Sequence, residues 1–407
     1  MNERTQMIVR LSILGLVTIA LGAGMYFLFF RARPSVVPVT DTPGLVQTPG
    51  GLPTAGSGSP IVPGGVVAPT GPGGLPVSAV ANGGLTATTT LTTSAVTSPT
   101  ATANGQVTYY DPGDGKFYTI NQNGTATALS EAKFPAASGV TFASAGDVAA
   151  IEFPDGSNVI YNFSSGVQST LPNHWEDFSF SQDGQSIVTK SVAADPSARS
   201  LVISSADGSS ATPIAALGTK QDRVSVAMSP DGSIVGFSAT GTTPTSTFGQ
   251  NSIYLIGRDG QDAGVLFVTG SSFTPKWSPD SSHLIYSVAD AGEDYRATLW
   301  YADRDGDQKT ATRKRIPVNT LATKCTFSTD TILYCGVPTT MPVGGGSAPS
   351  LITAPDNLYR IDLNSLKATL IATPAVSTQM SNLSISPAGD VLFFSDKFGR
   401  LNSIKLK

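Results

Sequence analysis

From Gln106 to the C-terminus, short apolar runs alternate with tight polar turns. One phrase recurs: an apolar strand end, then Ser-Pro-Asp-Gly or a variant, then a second apolar strand. Its six copies are VTFASAGDVAAIEF (from Val140), FSFSQDGQSIVTKS (from Phe178), VAMSPDGSIVGFSA (from Val226), PKWSPDSSHLIYSV (from Pro275), CTFSTDTILYCGV (from Cys325) and LSISPAGDVLFFSD (from Leu383). Their landmark apolar residues, Phe142, Phe180, Met228, Trp277, Phe327 and Ile385, lie 38 to 58 residues apart. The phrase has a physical reason. Pro presets φ at the second turn position, Asp or Ser bonds the turn backbone, and Gly supplies φ > 0. The flanking runs alternate, or are rich in Val, Ile, Phe and Tyr, as half-buried strands require.

A second phrase alternates with the first. The strands KFYTI, NVIYNF, LVISSA, SIYLIG, TLWYAD and NLYRID run into the turns Asn123-Gly124, Ser165-Gly166, Asp207-Gly208, Asp259-Gly260, Asp305-Gly306 and Asn364-Ser365. Asn-Gly and Asp-Gly are strong hairpin signals. Each unit therefore predicts four antiparallel strands, and four-stranded units repeated around an axis make a β-propeller. The fold class is all-β, with six or seven blades. VTYY–KFYTI at the start and VLFFS–RLNSIKL at the end have the look of the same two middle strands. Merging them into one blade would duplicate those strands, so seven is favoured.

Ser229-Pro230-Asp231-Gly232 and Ser278-Pro279-Asp280, each in an apolar-strand frame, resemble the TolB-type, WD-repeat-like propellers. The resemblance covers residues 106–407 and implies a fold. It implies no role in the Tol–Pal system, because the bacterial TolB protein carries a soluble α/β domain where this chain has an apolar run and a spacer.

That apolar run is LSILGLVTIALGAGMYFLFF, Leu11 to Phe30. It is free of charge and has the length of about 20 residues needed to cross a bilayer. It is preceded by a short flank of residues 1–10 and ends in bulky residues before Arg31 and Arg33, unlike a cleaved signal peptide. The reading is a membrane anchor over 11–30. Flanking charges (Arg4 and Arg10 with Glu3, against Arg31 and Arg33) narrowly favour a cytoplasmic head by the positive-inside rule. The composition of the chain beyond Arg33 outweighs them, and the head is expected outside the cytoplasm. Residues 31–105 are Pro-, Gly-, Thr- and Ser-rich, and between Pro34 and Asn104 the one charge is Asp41. They predict a disordered linker that holds the head, 106–407, away from the membrane. The Thr-dense end, TATTTLTTSAVTSPTAT, also fits a glycosylated stalk.

Net charge is −4 among 407 residues, which argues against a nucleic-acid partner. Two His and two Cys exclude a zinc-rich or disulfide-dense scaffold. Cys325 and Cys335 flank one strand turn symmetrically and can meet across an antiparallel pair as a disulfide. Two buried free thiols are the other reading. Lys309, Arg313, Lys314 and Arg315 form the densest basic stretch. It reads as solvated charge guarding an outer strand, or as a contact for a polyanion such as a wall polymer or phospholipid head groups.

Asp303 to Asp307 fails as a calcium loop, since Gln308 stands where Gly is needed. His174 sits at a blade entrance and His283 at a strand start, and neither has a nucleophile elbow beside it. The sequons at Asn123, Asn162 and Asn382 are no more than chance would give. Two inserts, 240–250 and 339–355, lengthen loops on one rim, where binding commonly sits. No catalytic, metal or cofactor motif is found. The expected function is a membrane-anchored, non-catalytic binding or scaffold propeller for a protein or cell-envelope polymer. The alternative is an envelope enzyme, glycan- or peptide-active, with its site in the central channel.

Overall fold

The computed structural model describes residues 76–102, 104–241, 250–304 and 313–407. They form seven sheets, six of four strands and one of five. Five sheets are continuous in sequence, spanning 97–128, 139–171, 175–216, 224–269 and 271–315, and the sixth joins 325–374 with Leu85–Thr86. The seventh combines Ser381–Ile385, Val391–Ser395 and Leu401–Lys405 with Thr89–Thr90. We number these blades 1 to 7 and count strands outward from the axis. The chain is an all-β, seven-bladed propeller. The anchor Leu11–Phe30, the first part of the linker, the Asp305-Gly306 turn and Lys309 lie outside the described residues. Among the described residues no helix is long and apolar enough to cross a membrane.

The linker boundary needs correction. Residues read as disordered up to 105 supply three strands. Leu85–Thr86 adds in parallel to the outer strand of blade 6. Thr89–Thr90 is the outer strand of blade 7, with Thr89 opposite Ser403. Thr97–Ala101 is the inner strand of blade 1. The reason is the unpaired edges left elsewhere. The last three strands of the chain and the first three after Asn104 are each one strand short, and an open edge attracts any β-compatible segment. Thr is β-branched and suits that role.

The turn phrase works as its sequence suggests. The Ser229 hydroxyl donates to Asp231 and accepts the Ile234 N–H at 3.0 Å, while Asp231 accepts the Ser233 N–H at 3.1 Å. Ser278 with Asp280 and Ser181 with Asp183 repeat the arrangement. A further copy stands within the linker. Thr102 donates to Asn104, whose Oδ1 accepts the Gln106 N–H at 3.3 Å, and Gly105 takes φ +80°. Thr and Asn replace Ser and Asp there.

Packing runs around the ring. Seven apolar clusters among the described residues each join two neighbouring blades. The cluster that closes the ring sets Val107 and Tyr109 of blade 1 against Val391, Phe393 and Leu401 of blade 7, with Val96 between. Between blades 1 and 2, Phe117 meets Phe142 and Phe163 at centroid distances of 5.7 and 4.9 Å. Antiparallel order fixes two faces. The Ser-Pro-Asp-Gly and Asn-Gly turns share the lower face. The loops from second to third strand, and the crossings to the next blade, share the upper face.

Candidate functional site

Among the described residues six large apolar side chains are conspicuously exposed: Val167, Tyr295, Val343, Leu351, Val376 and Phe398. Val167 lies on a lower turn of blade 2. The other five lie on upper loops of three consecutive blades. Tyr295 is on the blade 5 loop, Val343 and Leu351 on the blade 6 insert, Val376 on the crossing from blade 6 to 7, and Phe398 on the blade 7 loop. Their exposures run from 49% to 71%.

Hydrogen bonds tie these loops together. Gly344 N–H donates to the Asp294 carbonyl and Gly346 N–H to the Tyr295 carbonyl, both at 2.9 Å. Arg296 Nε donates to the Met341 carbonyl at 3.2 Å. Gln379 Nε2 donates to the Ile352 carbonyl, and Lys397 N–H to the Thr378 hydroxyl at 3.4 Å. Beneath them Met341 and Ile352 are buried against Ala297. The insert is therefore a fastened platform that raises Val343 and Leu351 into solvent. Cations border it. Lys397 and Arg400 lie 4.9 and 5.0 Å from the Phe398 ring centre, and Arg400 also pairs with Asp396 at 2.8 Å. Arg296 pairs with Asp294 at 2.6 Å.

The central axis offers a second concavity, of about 570 Å³. It is walled by the inner strands of blades 1, 5, 6 and 7 and the short helical turn before blade 6. Among the described residues Lys276 is the one charged residue lining it. On blades 2 and 3 the polar groups differ. Lys190 holds Asp177 at 2.5 Å and Glu176 at 4.0 Å. Burial, then the neighbouring Asp177 and Glu176, push the Glu152 carboxyl above the ordinary range. In four blades the inner strand starts with a bulge around a left-handed residue: Ser98, Asp177, Ser272 and Asn382. Bulges of this kind re-aim side chains at a rim.

The residues singled out in the sequence are scattered over the ring. Cys325 and Cys335 are directly opposed on the two inner strands of blade 6 and joined as a cystine, S–S 2.14 Å. Arg313, Lys314 and Arg315 form the outer strand of blade 5. Arg313 donates to the Phe267 carbonyl, Arg315 pairs with Glu293 at 2.6 Å, and Lys314 lies 6.0 Å from the Tyr301 ring centre. The strand thus spends much of its charge on partners within the chain while Lys314 and Arg315 stay exposed. His283 is half-buried, with Nδ1 2.9 Å from the Tyr301 hydroxyl and 3.2 Å from Asp303. His174 is at the blade 2–3 crossing, where its carbonyl accepts the Val192 N–H at 2.7 Å. These groups do not converge. Among the described residues no three His, Cys, Asp or Glu side chains come together as a metal site. The upper patch was legible only as long loops; its exposed aromatics carried no motif.

No protein-family model matches the chain, and no curated protein does. Solved structures do. Tricorn protease superposes with a TM-score of 0.50 at 10% identity over 76% of this chain. This chain spans 33% of that one. Oligogalacturonate lyase from Vibrio parahaemolyticus superposes at 0.51 with 12% identity, covering 79% of this chain and 93% of that one. An oligogalacturonate lyase in complex with manganese superposes at 0.52 with 14% identity, with the same coverage. All are β-propeller folds. The likeness is one of fold, in keeping with the TolB-type resemblance of the turns. A propeller by itself fixes no activity.

Proposed function

We propose that this propeller is a binding module, carried by the apolar run 11–30 outside the cytoplasm, that docks a protein on the upper face of blades 5 to 7. One observation carries the reading: among the described residues, five of the six most exposed large apolar side chains sit on four neighbouring upper loops of blades 5 to 7 that are bonded to one another. Contiguous exposed apolar surface rimmed by polar groups marks interaction sites. Aromatic and Arg residues anchor such interfaces, and Tyr295, Phe398, Arg296 and Arg400 supply them. Arg296 and Arg400 are already answered by Asp294 and Asp396, so the patch favours a partner segment that binds through apolar anchors. The lyase and protease likenesses, at 10–14% identity, speak to the fold alone and do not decide between a binding module and an enzyme.

The test uses full-length protein expressed in its native membrane and cross-linked in intact cells. The wild type should give one stoichiometric adduct. Tyr295→Glu with Phe398→Glu should abolish it, while Val167→Glu on the opposite face leaves it unchanged. Equal loss from Val167→Glu, or no loss from the patch variant, overturns the docking site. Carbonate extraction and protease shaving of the same cells test anchor and side: the protein should stay in the membrane fraction with its head cleavable from outside.

A further inference from the structure

The channel cavity shows a pattern that the docking patch does not use. Two residues before each turn Ser or its equivalent, the inner strands place Thr100, Thr141, Ser179, Ala227, Lys276, Thr326 and Ser384 in blades 1 to 7. Five are hydroxyls, one is alanine and one is a cation. The cavity touches four of these positions, Thr100, Lys276, Thr326 and Ser384. Lys276 donates one of its three N–H groups to the Cys325 carbonyl of the next blade, at 2.6 Å. Among the described residues no carboxylate pairs with it and none lines the cavity. Burial alone pulls its pKa down to about 8, as expected of an ammonium ion with no acid nearby. On the inner strand of blade 7 the Ser384 hydroxyl is buried and without a partner among the described residues. A half-buried ammonium with no acid partner, and a buried hydroxyl left unused on the same cavity, are both costly unless something answers them.

We infer that the central cavity is a binding site for a monoanionic carboxylate, held by Lys276 with Ser384 and Thr326 donating to its second oxygen. One fixed charge matches a carboxylate, whereas a dianionic phosphate would bury an unanswered charge. The volume of about 570 Å³ lies within the range of small-molecule sites. The carboxylate can belong to a small molecule or to the C-terminus of a peptide threaded into the channel.

Full-length protein in non-ionic detergent is titrated calorimetrically with benzoate and with benzamide, its neutral analogue. Benzoate should bind saturably, and benzamide at least tenfold more weakly. Lys276→Met should weaken benzoate at least tenfold, and Ser384→Ala about threefold, with melting temperature measured for each. Equal binding of benzoate and benzamide, or unchanged benzoate affinity in a folded Lys276→Met protein, overturns the site. If Lys276→Met fails to fold, the benzoate–benzamide contrast and Ser384→Ala still decide it. A peptide with a free C-terminus that displaces benzoate, while its amidated form does not, assigns a macromolecular source. Benzoate binding that neither peptide displaces assigns a small molecule. Patch variants at Tyr295 and Phe398 should leave benzoate binding unchanged, so this site and the docking face fail separately.

Discussion

Two stretches of this chain have little charge and read as spacer, yet they build different things. Residues 85–102 are dense in Thr; residues 339–355 are dense in Gly and Pro. The first yields three strands in blades 6, 7 and 1. The second stays a loop, with a single short helical turn at Pro349–Leu351. The difference is local chemistry meeting an available edge. Thr carries a branched Cβ and a full set of backbone donors, and Leu401–Lys405 offered an unpaired ladder. Pro342 and Pro349 lack donors, and the glycines lose most entropy on ordering. The insert is instead pinned at single points, chiefly through Gly344 and Gly346.

The sharpest way to break this comparison is to delete each segment. Removing 76–96 takes away the outer strand of blade 7 and bares the Leu401–Lys405 edge between the ends of the ring. The cost should be on the order of 5 kcal/mol or more, seen as a fall of about 10–20 °C in melting temperature and as aggregation. Removing 343–350 keeps Met341 and Ile352 and should cost about 1 kcal/mol or less. Calorimetric melts of both deletions in the full-length chain measure this. Similar losses would mean that the Thr segment is no more structural than the insert. Val96→Asp buries a charge in the closing cluster and should cost about 3 kcal/mol, a point-mutation version of the first deletion.

Most of the ring was readable because its repeat is chemical as well as periodic. Asp231 and Gly232 announce a turn by hydrogen bonding and φ, so the strands on either side could be placed, and with them the seven blades. The closing strands were not read because Thr89–Thr90 and Thr97–Ala101 have no apolar alternation of their own. Those of blade 7 pair with residues some 300 positions away, as Thr90 does with Asn402, and no local window contains that partner. One local signal did exist. Thr102, Asn104 and Gly105 spell the turn phrase with Thr for Ser and Asn for Asp, and admitting that substitution would have moved the domain boundary. The upper patch was hidden for the opposite reason. Exposure of Tyr295 and Phe398 depends on how loops from separate blades pack, and not on any neighbour in sequence.

A smaller effect sharpens the equivalence between the hidden turn and the visible ones. Thr102→Val removes the hydroxyl that bonds Asn104 and the Gln106 carbonyl. Ser278→Ala removes the one that bonds Asp280 and the His283 N–H. Both hydroxyl-bearing residues are buried. Each change should cost about 1–2 kcal/mol in urea unfolding, with unchanged slope. A neutral Thr102→Val beside a costly Ser278→Ala would show that the N-terminal copy is a turn in outline only.

The smallest expected effect is a difference in acid response. Hydrogen bonds from Ser181 and the Gln185 N–H hold Asp183 below its ordinary pKa. For Asp231 and Asp280 burial acts upward, but it is outweighed by the combined bonds from Ser229, Ser233 and Arg304 at the first and from Ser278 and Ser282 at the second, and Asp280 falls to about 2. A carboxyl whose folded pKa is depressed adds stability above its unfolded value, near 4, and loses it as pH falls through the folded value. These turns should therefore weaken between about pH 4 and pH 2. The turn at Asn104 has no proton to gain and should not respond. Asn104→Asp converts it to the form of the other blades. The variant should match or exceed the wild type by a few tenths of a kcal/mol at pH 7. It should lose that advantage below about pH 3. Urea unfolding of the two proteins at both pH values measures the difference. A gap that does not change with pH would show that the residue at 104 accepts no bond worth a pKa shift, separating this turn from the other copies.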